Sequence, residues 1–402
     1  MDIDEIMLAV AADVGLAEGE SGIRDILSAI LTAEPAAVRE IARLAELPVP
    51  IVAASCNELR KHGIVDAQRP VRLTVSGRAA VAAARIGMDI RVVSCPECGG
   101  RGEILPPELT GLAATLHAIA EGTPGAKAEL DQTHCTVDTK LSRVLRLHQA
   151  RALAGQRIIL LGDDDLVSVA IAHFAALAGA AGAIRRLTVV DTDADILAWI
   201  DRNVADTGTL VETVRHDLRR SLPAELAGGF DVVLTDPPYT VAGARLFLSR
   251  AVSALAPQPG RHVFFSFGAR RPDETIAVQQ AMVEMGLVVK SLAAGFNEYL
   301  GAGVLAGTSN LYHLRTVAGA RPVIDGDYDG PLYTADSRAV ATRPYRCARC
   351  REVHEVGPGA RWPQIAALQA AGCPACGGTV FRPMPRQRRA VTPGQQQPRR
   401  DR

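Results

Sequence analysis

Apolar positions change their period along this chain. Between about 19 and 90 they recur every three to four residues: Ile23, Ile26, Leu27, Ile30 and Leu31, then Val38, Ile41 and Leu44 after Pro35, then Ile51, Val52 and Leu59 up to Gly63. That spacing predicts three amphipathic helices. Ile64-Val65 and Val71-Arg72-Leu73-Thr74 alternate as a short hairpin, and Ser76 is the expected N-cap of one more helix. Three helices and a hairpin make a winged helix, assigned to residues 1–90. A DNA-reading winged helix carries cations along its third helix. Here only Arg60 and Lys61, at its end, are basic, so packing or dimerisation is the expected task.

Beyond a CxxC knuckle and connector at 91–130, helical from about 108, the pattern becomes short apolar runs separated by alanine-rich helical stretches. The runs are Arg157–Leu161, Leu187–Val190, Val211–Val214, Asp231–Thr235, His262–Phe267, Val288–Leu292 and Leu311–Arg315. Strands alternating with helices predict a Rossmann-like, doubly wound α/β sheet of the class I methyltransferase type over 131–320. A polar, Pro/Gly-rich stretch at 321–342, with Asp325, Asp327 and Asp329, reads as a linker. Residues 343–384 hold four cysteines, and 385–402 form a basic tail of disordered composition.

Lys+Arg and Asp+Glu number 44 each, so no net field favours nucleic acid, and a nucleic-acid partner is not expected. No apolar run approaches the roughly 20 residues of a membrane span, and the acidic start Met1-Asp2-Ile3-Asp4-Glu5 lacks the cationic region of a secretory signal. A cytoplasmic protein is the expectation. Cys347-x-x-Cys350 and Cys373-x-x-Cys376 have the spacing of a closed tetrahedral zinc ribbon, a structural site. Cys95 and Cys98 are candidates for a second site, completed by a second subunit or by Cys135 with His134, and a metal-free knuckle is the alternative. Cys56 reads as core.

Carboxylates follow each of the first four sheet strands. Asp163, Asp164 and Asp165 follow the first, Asp191 the second, Asp217 the third and Asp236 the fourth. In this fold, ligands gather at those strand ends. Glycines there admit a phosphate, whereas aspartates repel one and suit a cation such as a sulfonium nucleoside or a polyamine. Asp191 stands where an acid binds ribose hydroxyls, and Asp217 where one holds an adenine amino group. Asp236-Pro237-Pro238-Tyr239 is the more discriminating motif. Its prolines stiffen the loop, so Asp236 and the Pro237 carbonyl can accept hydrogen bonds from an amine, and Tyr239 can cover the reacting nitrogen. The chemistry implied is alkyl transfer from an adenosyl sulfonium to an amine, assisted by a carboxylate that accepts a proton. A pocket this acidic fits a decarboxylated donor better than one bearing a carboxylate.

These motifs, in order, resemble the branched-chain polyamine synthases. The resemblance spans most of residues 20–317 and rests on Cys95-Pro96-Glu97-Cys98, Asp131-Gln132, Leu161-Gly162-Asp163-Asp164-Asp165-Leu166, His216-Asp217-Leu218-Arg219, Thr235-Asp236-Pro237-Pro238 and Phe296-Asn297-Glu298-Tyr299. It implies aminopropyl transfer from decarboxylated S-adenosylmethionine to the secondary amine of spermidine. Asp164 would then take the proton or orient the nitrogen, with Asp236 beside it. Gly162, Asp163, Asp191 and Asp217 would hold the donor. Asp131, Asp165, Pro237, Tyr239 and Glu298 would hold the polyamine, and a homodimer is expected. The chain departs from the family pattern at Tyr239, in its basic tail and in the added four-cysteine segment. Two other readings use the same residues: an S-adenosylmethionine-dependent amino-methyltransferase on nucleic acid or protein, and a polyamine-sensing DNA-binding regulator.

Overall fold

The computed structural model describes residues 2–86, 104–300, 307–333, 343–356, 360–362 and 365–384. Two compact units divide the chain, Met1–Gly330 and Pro331–Arg402. No helix among the described residues is long and apolar enough to cross a membrane.

The first unit begins with five helices: α1 (Ile3–Val14), α2 (Gly19–Ala33), α3 (Val38–Leu44), α4 (Val49–Lys61) and α5 (Val75–Ala83). α1 lies outside the predicted span of 19–90. Its start is specified by a capping box, in which the Asp2 side chain accepts from Glu5 N and Glu5 reaches back to Asp2 N. Met7 and Val10 of α1 share one core with Ile23, Ile26, Ile30, Val52, Cys56 and Leu59. The expected hairpin is reduced to isolated bridges, Val65 to Leu73 and Ala36 to Val71. Thr74, not Ser76, caps α5. Its backbone is extended and its hydroxyl accepts from Gly77 N at 2.8 Å, while Ser76 already lies inside the helix. A Cβ on Gly77 would stand 2.0 Å from the Ile64 carbonyl oxygen, so only glycine lets the turn close on α5. The cations of α4 are held locally: Arg60 donates to the Asp66 carbonyl and to Asn57, and Lys61 to Glu58.

The sheet has seven strands in the order β3-β2-β1-β4-β5-β7-β6. They are β1 (Arg157–Leu161), β2 (Arg186–Asp191), β3 (Val211–Arg215), β4 (Val232–Thr235), β5 (His262–Phe267), β6 (Leu287–Glu298) and β7 (Thr308–Thr316). β1 to β5 run parallel, and β7 is antiparallel to both of its neighbours. Helices α6 (Thr110–Glu121), α7 (Val137–Gln149), α8 (Val167–Leu177), α9 (Ala194–Val204), α10 (Val241–Ala254) and α11 (Pro272–Glu284) accompany them. All seven predicted strands are present. β6 runs six residues beyond Leu292, through two register irregularities against β7. α6 is the helix expected in the connector, and Leu112 and Leu116 bury it in the same core as α7, α8 and the sheet.

The predicted linker also differs in its first ten residues. Buried Arg250 of α10 donates to the carbonyls of Ile324 and Gly326, and Asp327 accepts from Arg220 and from Ser221 N. A guanidinium with several carbonyl partners fastens residues 324–327 to the sheet domain.

The second unit contains β8 (Arg343–Cys347), β9 (Val353–Val356), α12 (Ile365–Ala371) and β10 (Phe381–Pro383), with an antiparallel sheet ordered β10-β8-β9.

Candidate active site

Parallel register assembles the acids. Leu161, the last residue of β1, lies opposite Val190 of β2 and Thr235 of β4. One residue further along each strand come Gly162, Asp191 and Asp236. The strand order reverses between β1 and β4, so these three ends flank the crevice where such sheets bind ligands. There lies a crevice lined by Gly162, Asp163, Asp164, Asp165, Asp236 and Arg143 together with apolar Leu160, Leu234, Phe264 and Leu311.

The three consecutive aspartates have different surroundings. Both oxygens of Asp163 are taken by α8, accepting from Val167 N at 2.8 Å and Ser168 N at 3.1 Å, so its side chain caps that helix. Burial pushes its pKa up to about 7, against the pull of those hydrogen bonds. Asp165 accepts from Cys135 N and from Arg143 Nη1 at 2.7 Å. Burial alone would raise Asp165, but Arg143, Lys140 and the Cys135 N–H outweigh it and hold the carboxyl below its ordinary range.

Asp164 has no cationic partner among the described residues. Its Oδ2 accepts only from Thr133 N at 3.0 Å. Burial, and then the charges of Asp165, Asp236 and Asp191, raise its pKa well above the usual carboxylate value. Its backbone is held by His134, whose Nδ1 lies 2.7 Å from the Asp164 carbonyl and whose Nε2 lies 2.9 Å from the Pro124 carbonyl. Both ring nitrogens are therefore committed, and Cys135 is buried against Lys140 and Asp165. Neither residue is free to complete a metal site with Cys95 and Cys98, which lie outside the described residues.

Asp236 Oδ2 receives Arg143 Nη2 at 2.9 Å and the Tyr299 hydroxyl at 2.6 Å. Burial pushes it up to about 6 despite Arg143. The Tyr239 hydroxyl donates to Tyr299 at 2.7 Å, and its ring packs edge-on against Phe267 and Tyr299. Pro237 is buried beside it. Asp191, on the other flank, accepts from Asp193 N and Asp163 N, and burial raises its pKa. Asp217 lies one strand further out and is closed into a ring by Arg219, which contacts both of its oxygens at 2.7–3.1 Å. Glu298 ends β6, its backbone bonded to Thr136 and Thr139 and its carboxylate 3.3 Å from Arg43 of α3. Asp131 sits in a left-handed conformation two residues before Thr133.

Three residues of this site, Arg143, Lys127 and Thr133, carry no signal that marked them in the sequence, and Tyr299 entered only as the end of the Phe296–Tyr299 motif, with no role assigned. Arg143 is the centre of the network, linking Asp165, Asp236, Asn297 and Tyr299. Lys127 contacts Asp193 at 2.6 Å and Asp195 at 2.8 Å, and Gln132 also reaches Asp193. Residues 124–134 thus form a strap from the Asp191 flank to Asp164. A polar face on α7, with Lys140 and Arg143 three residues apart, was the available clue.

In the second unit, Cys347, Cys350, Cys373 and Cys376 place their sulfurs within 4.8 Å of one another. Cys347 and Cys376 are 3.6 Å apart and Cys350 and Cys373 are 3.5 Å apart. A tetrahedral zinc with Zn–S near 2.3 Å needs sulfurs about 3.8 Å apart, so the donors fit. His354 Nε2 lies 3.2 Å from Cys373 Sγ, an outer partner for one thiolate.

Residues 111–328 match the family model described as the branched-chain polyamine synthase A C-terminal domain. The chain belongs to the branched-chain polyamine synthase family. Within that family, it is 30% identical over 294 residues to the N(4)-bis(aminopropyl)spermidine synthase of Thermococcus kodakarensis, covering 72% of this chain and 80% of that protein. An uncharacterised protein of Methanocaldococcus jannaschii is 31% identical over 382 residues, covering 94% of this chain and 92% of that one. The branched-chain polyamine synthase of Thermus thermophilus, solved with N4-aminopropylspermidine and 5'-methylthioadenosine, has the same fold. The TM-score is 0.69 at 23% identity, over 83% of this chain and 98% of that one.

Proposed function

We propose that this chain is an aminopropyltransferase, moving aminopropyl groups from decarboxylated S-adenosylmethionine to the secondary amine of spermidine or a similar linear polyamine. The products are a branched polyamine and methylthioadenosine. Three relatives named N(4)-bis(aminopropyl)spermidine synthase support this reading, each matched over 72–75% of this chain. The observation that carries it is the isolation of Asp164: a carboxylate with raised pKa, without a cation partner among the described residues, lining an acidic crevice.

The first transfer forms a bond from the acceptor nitrogen to the aminopropyl carbon and breaks that carbon's bond to sulfur, whose electron pair leaves with methylthioadenosine. An acceptor ammonium near the usual amine pKa of about 10 must first lose its proton. Asp164 takes it. A raised pKa narrows the gap between base and ammonium, which favours that transfer. Asp236, fixed by Tyr299 and Arg143, accepts a hydrogen bond from the attacking nitrogen, and Tyr239 walls the same side with Pro237. Asp191 takes the ribose hydroxyls and Asp217 the adenine amino group, for which its bonds to Arg219 must open. Gly162 and Asp163 shape the donor wall. Asp163 acts there through its backbone, which bonds Asp191, since its carboxylate serves α8. Asp165, already bound to Arg143, holds the cavity's charge pattern, while Asp131 and Glu298 meet the acceptor's outer ammoniums.

The four cysteines of the second unit hold one structural zinc, with no open coordination position. Residues 1–90 serve as a winged-helix packing module, and catalysis belongs to residues up to about 330. The test is incubation of purified protein with spermidine and either decarboxylated or intact S-adenosylmethionine, with products identified by mass. Aminopropylated spermidine from the decarboxylated donor alone is expected; methylated product from the intact donor sinks the assignment.

A further inference from the structure

The N-terminal helices reach the ligand edge of the sheet. Antiparallel register sets Asn310, near the start of β7, opposite Phe267 at the end of β5, while Thr235 of β4 pairs with Phe265. The first residues of β7 therefore stand almost level with Asp236. Facing them is α3, and between α3 and the β6–β7 pair lies a separate cleft. Ala42, Arg43, Glu46 and Leu47 form one side of it, and Ala294, Ser309 and Asn310 the other. Hydroxyls link this cleft to the reaction centre. Ser309 Oγ lies 2.8 Å from the Tyr299 hydroxyl, which donates to Asp236 at 2.6 Å.

Charge in the cleft is divided unevenly. Arg43 is already paired with Glu298 at 3.3 Å. Glu46 is exposed and has no cationic partner among the described residues. Burial chiefly raises the Tyr312 hydroxyl of β7, Asn310 lowers it, and the Glu46 charge adds to the rise, so this carboxylate faces the strands. Glu46 also occupies a backbone position that favours glycine. Its φ is 53°, in the left-handed region, where the Leu47 N–H returns to the Ala42 carbonyl at 3.1 Å and closes the end of α3. A glutamate placed there against its backbone preference points to a use for its side chain.

Apolar walls and one unpaired carboxylate, a hydroxyl relay away from Asp236, suit an alkyl arm that ends in an ammonium. We propose that the cleft between α3 and the β6–β7 pair receives one outer arm of the polyamine acceptor. Glu46 is the counter-ion of the terminal ammonium, and Arg43, by holding Glu298, limits the affinity. The helical module thus takes part in acceptor recognition as well as packing. This rests on the aminopropyl-transfer reading of the adjoining site.

The test is calorimetric titration of spermidine into the full-length chain saturated with methylthioadenosine, which measures acceptor binding without turnover. Glu46→Gln should weaken spermidine about fivefold, the loss of one partly solvated ion pair. Glu46→Gly should weaken it as much while raising the urea midpoint, because glycine accepts the left-handed backbone, so the lost affinity cannot be ascribed to a damaged fold. Arg43→Gln should act with the opposite sign and tighten spermidine about twofold or more, since it frees Glu298. In steady-state kinetics the same substitutions should move KM for the acceptor more than kcat. The inference is overturned by absent spermidine binding, by an unchanged Kd in both Glu46 variants, or by weakening in Arg43→Gln equal to that in Glu46→Gln, which would make the cleft a packing contact. The expected Kd shifts without any aminopropylated product would instead remove the reaction and keep the polyamine subsite.

Discussion

Among the acids at the sheet edge, Asp164 is the least tied, accepting only from Thr133 N, whereas each of the others is fixed by a cation or by two backbone N–H groups. Asp163 belongs to a helix terminus, Asp165 and Asp236 to Arg143, Asp191 to two backbone N–H groups and Asp217 to Arg219. Asp164→Asn should therefore leave the fold and methylthioadenosine affinity intact and lower turnover about 10²-fold or more. Calorimetric titration of methylthioadenosine and single-turnover rates check the two halves. Since Asp164 and Asp236 are both raised, and both act as carboxylates, kcat/KM should fall as pH drops through about 6, earlier than an ordinary carboxylate pair would allow. A rate profile flat down to pH 5 would contradict this. Asp163 has the opposite bearing on stability. Its folded-state pKa of about 7 exceeds the ordinary 3.8, so the folded state binds the extra proton. Unliganded stability should decline as pH rises from about 4 to 7, and Asp163→Asn should flatten that decline in denaturant titrations. Arg143 was not legible in the sequence, because its partners lie 22 and 93 residues away and nothing local marks a buried cation. Arg143→Met strands two buried carboxylates and should destabilise the fold by about 3–5 kcal/mol, read from the urea midpoint.

At the scale of elements, β1, β2 and β4 could be read because strands buried on both faces are continuous apolar runs with sharp ends. The acids that followed them were legible for the same reason. β6 could be read only in part. Ala293-Ala294-Gly295 have low strand propensity, and pairing with β7 imposes the extension to Glu298 that brings Asn297 and Tyr299 into the site. The helix of the connector is legible in the sequence, but its few buried leucines sit among alanines, and only tertiary contact shows α6 to be core. The strap at 124–134 was invisible because its hold is polar and distant in sequence. Lys127 is raised by hydrogen bonds to Asp193 and Asp195. Lys127→Met should loosen the strap at the donor flank, raising KM for the donor several-fold, with a smaller loss in kcat from the freed Thr133–Asp164 contact. Lys127→Arg should restore most of both, and steady-state kinetics at varied donor concentration distinguish the two parameters.

Across the molecule, two units with opposite charge are joined near Gly330. The composition of the whole chain could not disclose this, because the two excesses cancel. The cysteine spacing did disclose the four-thiolate cluster, since cysteines at that interval converge on one point in so small a unit. Chelation should release one zinc per chain, measured with a colorimetric metal indicator. Aminopropyl transfer by the same sample should continue, because every group assigned to the chemistry lies before Gly330. Loss of transfer in step with zinc would tie the two units together functionally.

The guanidinium of Arg143 lies between Asp165 and Asp236, on the wall of the very cavity that takes a flexible polycation. No second positive centre can rest there. An acceptor threading the crevice must lay uncharged methylenes alongside that arginine and bring its amines to either side. The enzyme would thus sort linear polyamines by the interval between their nitrogens, and a chain of equal charge but different spacing should be a poor substrate.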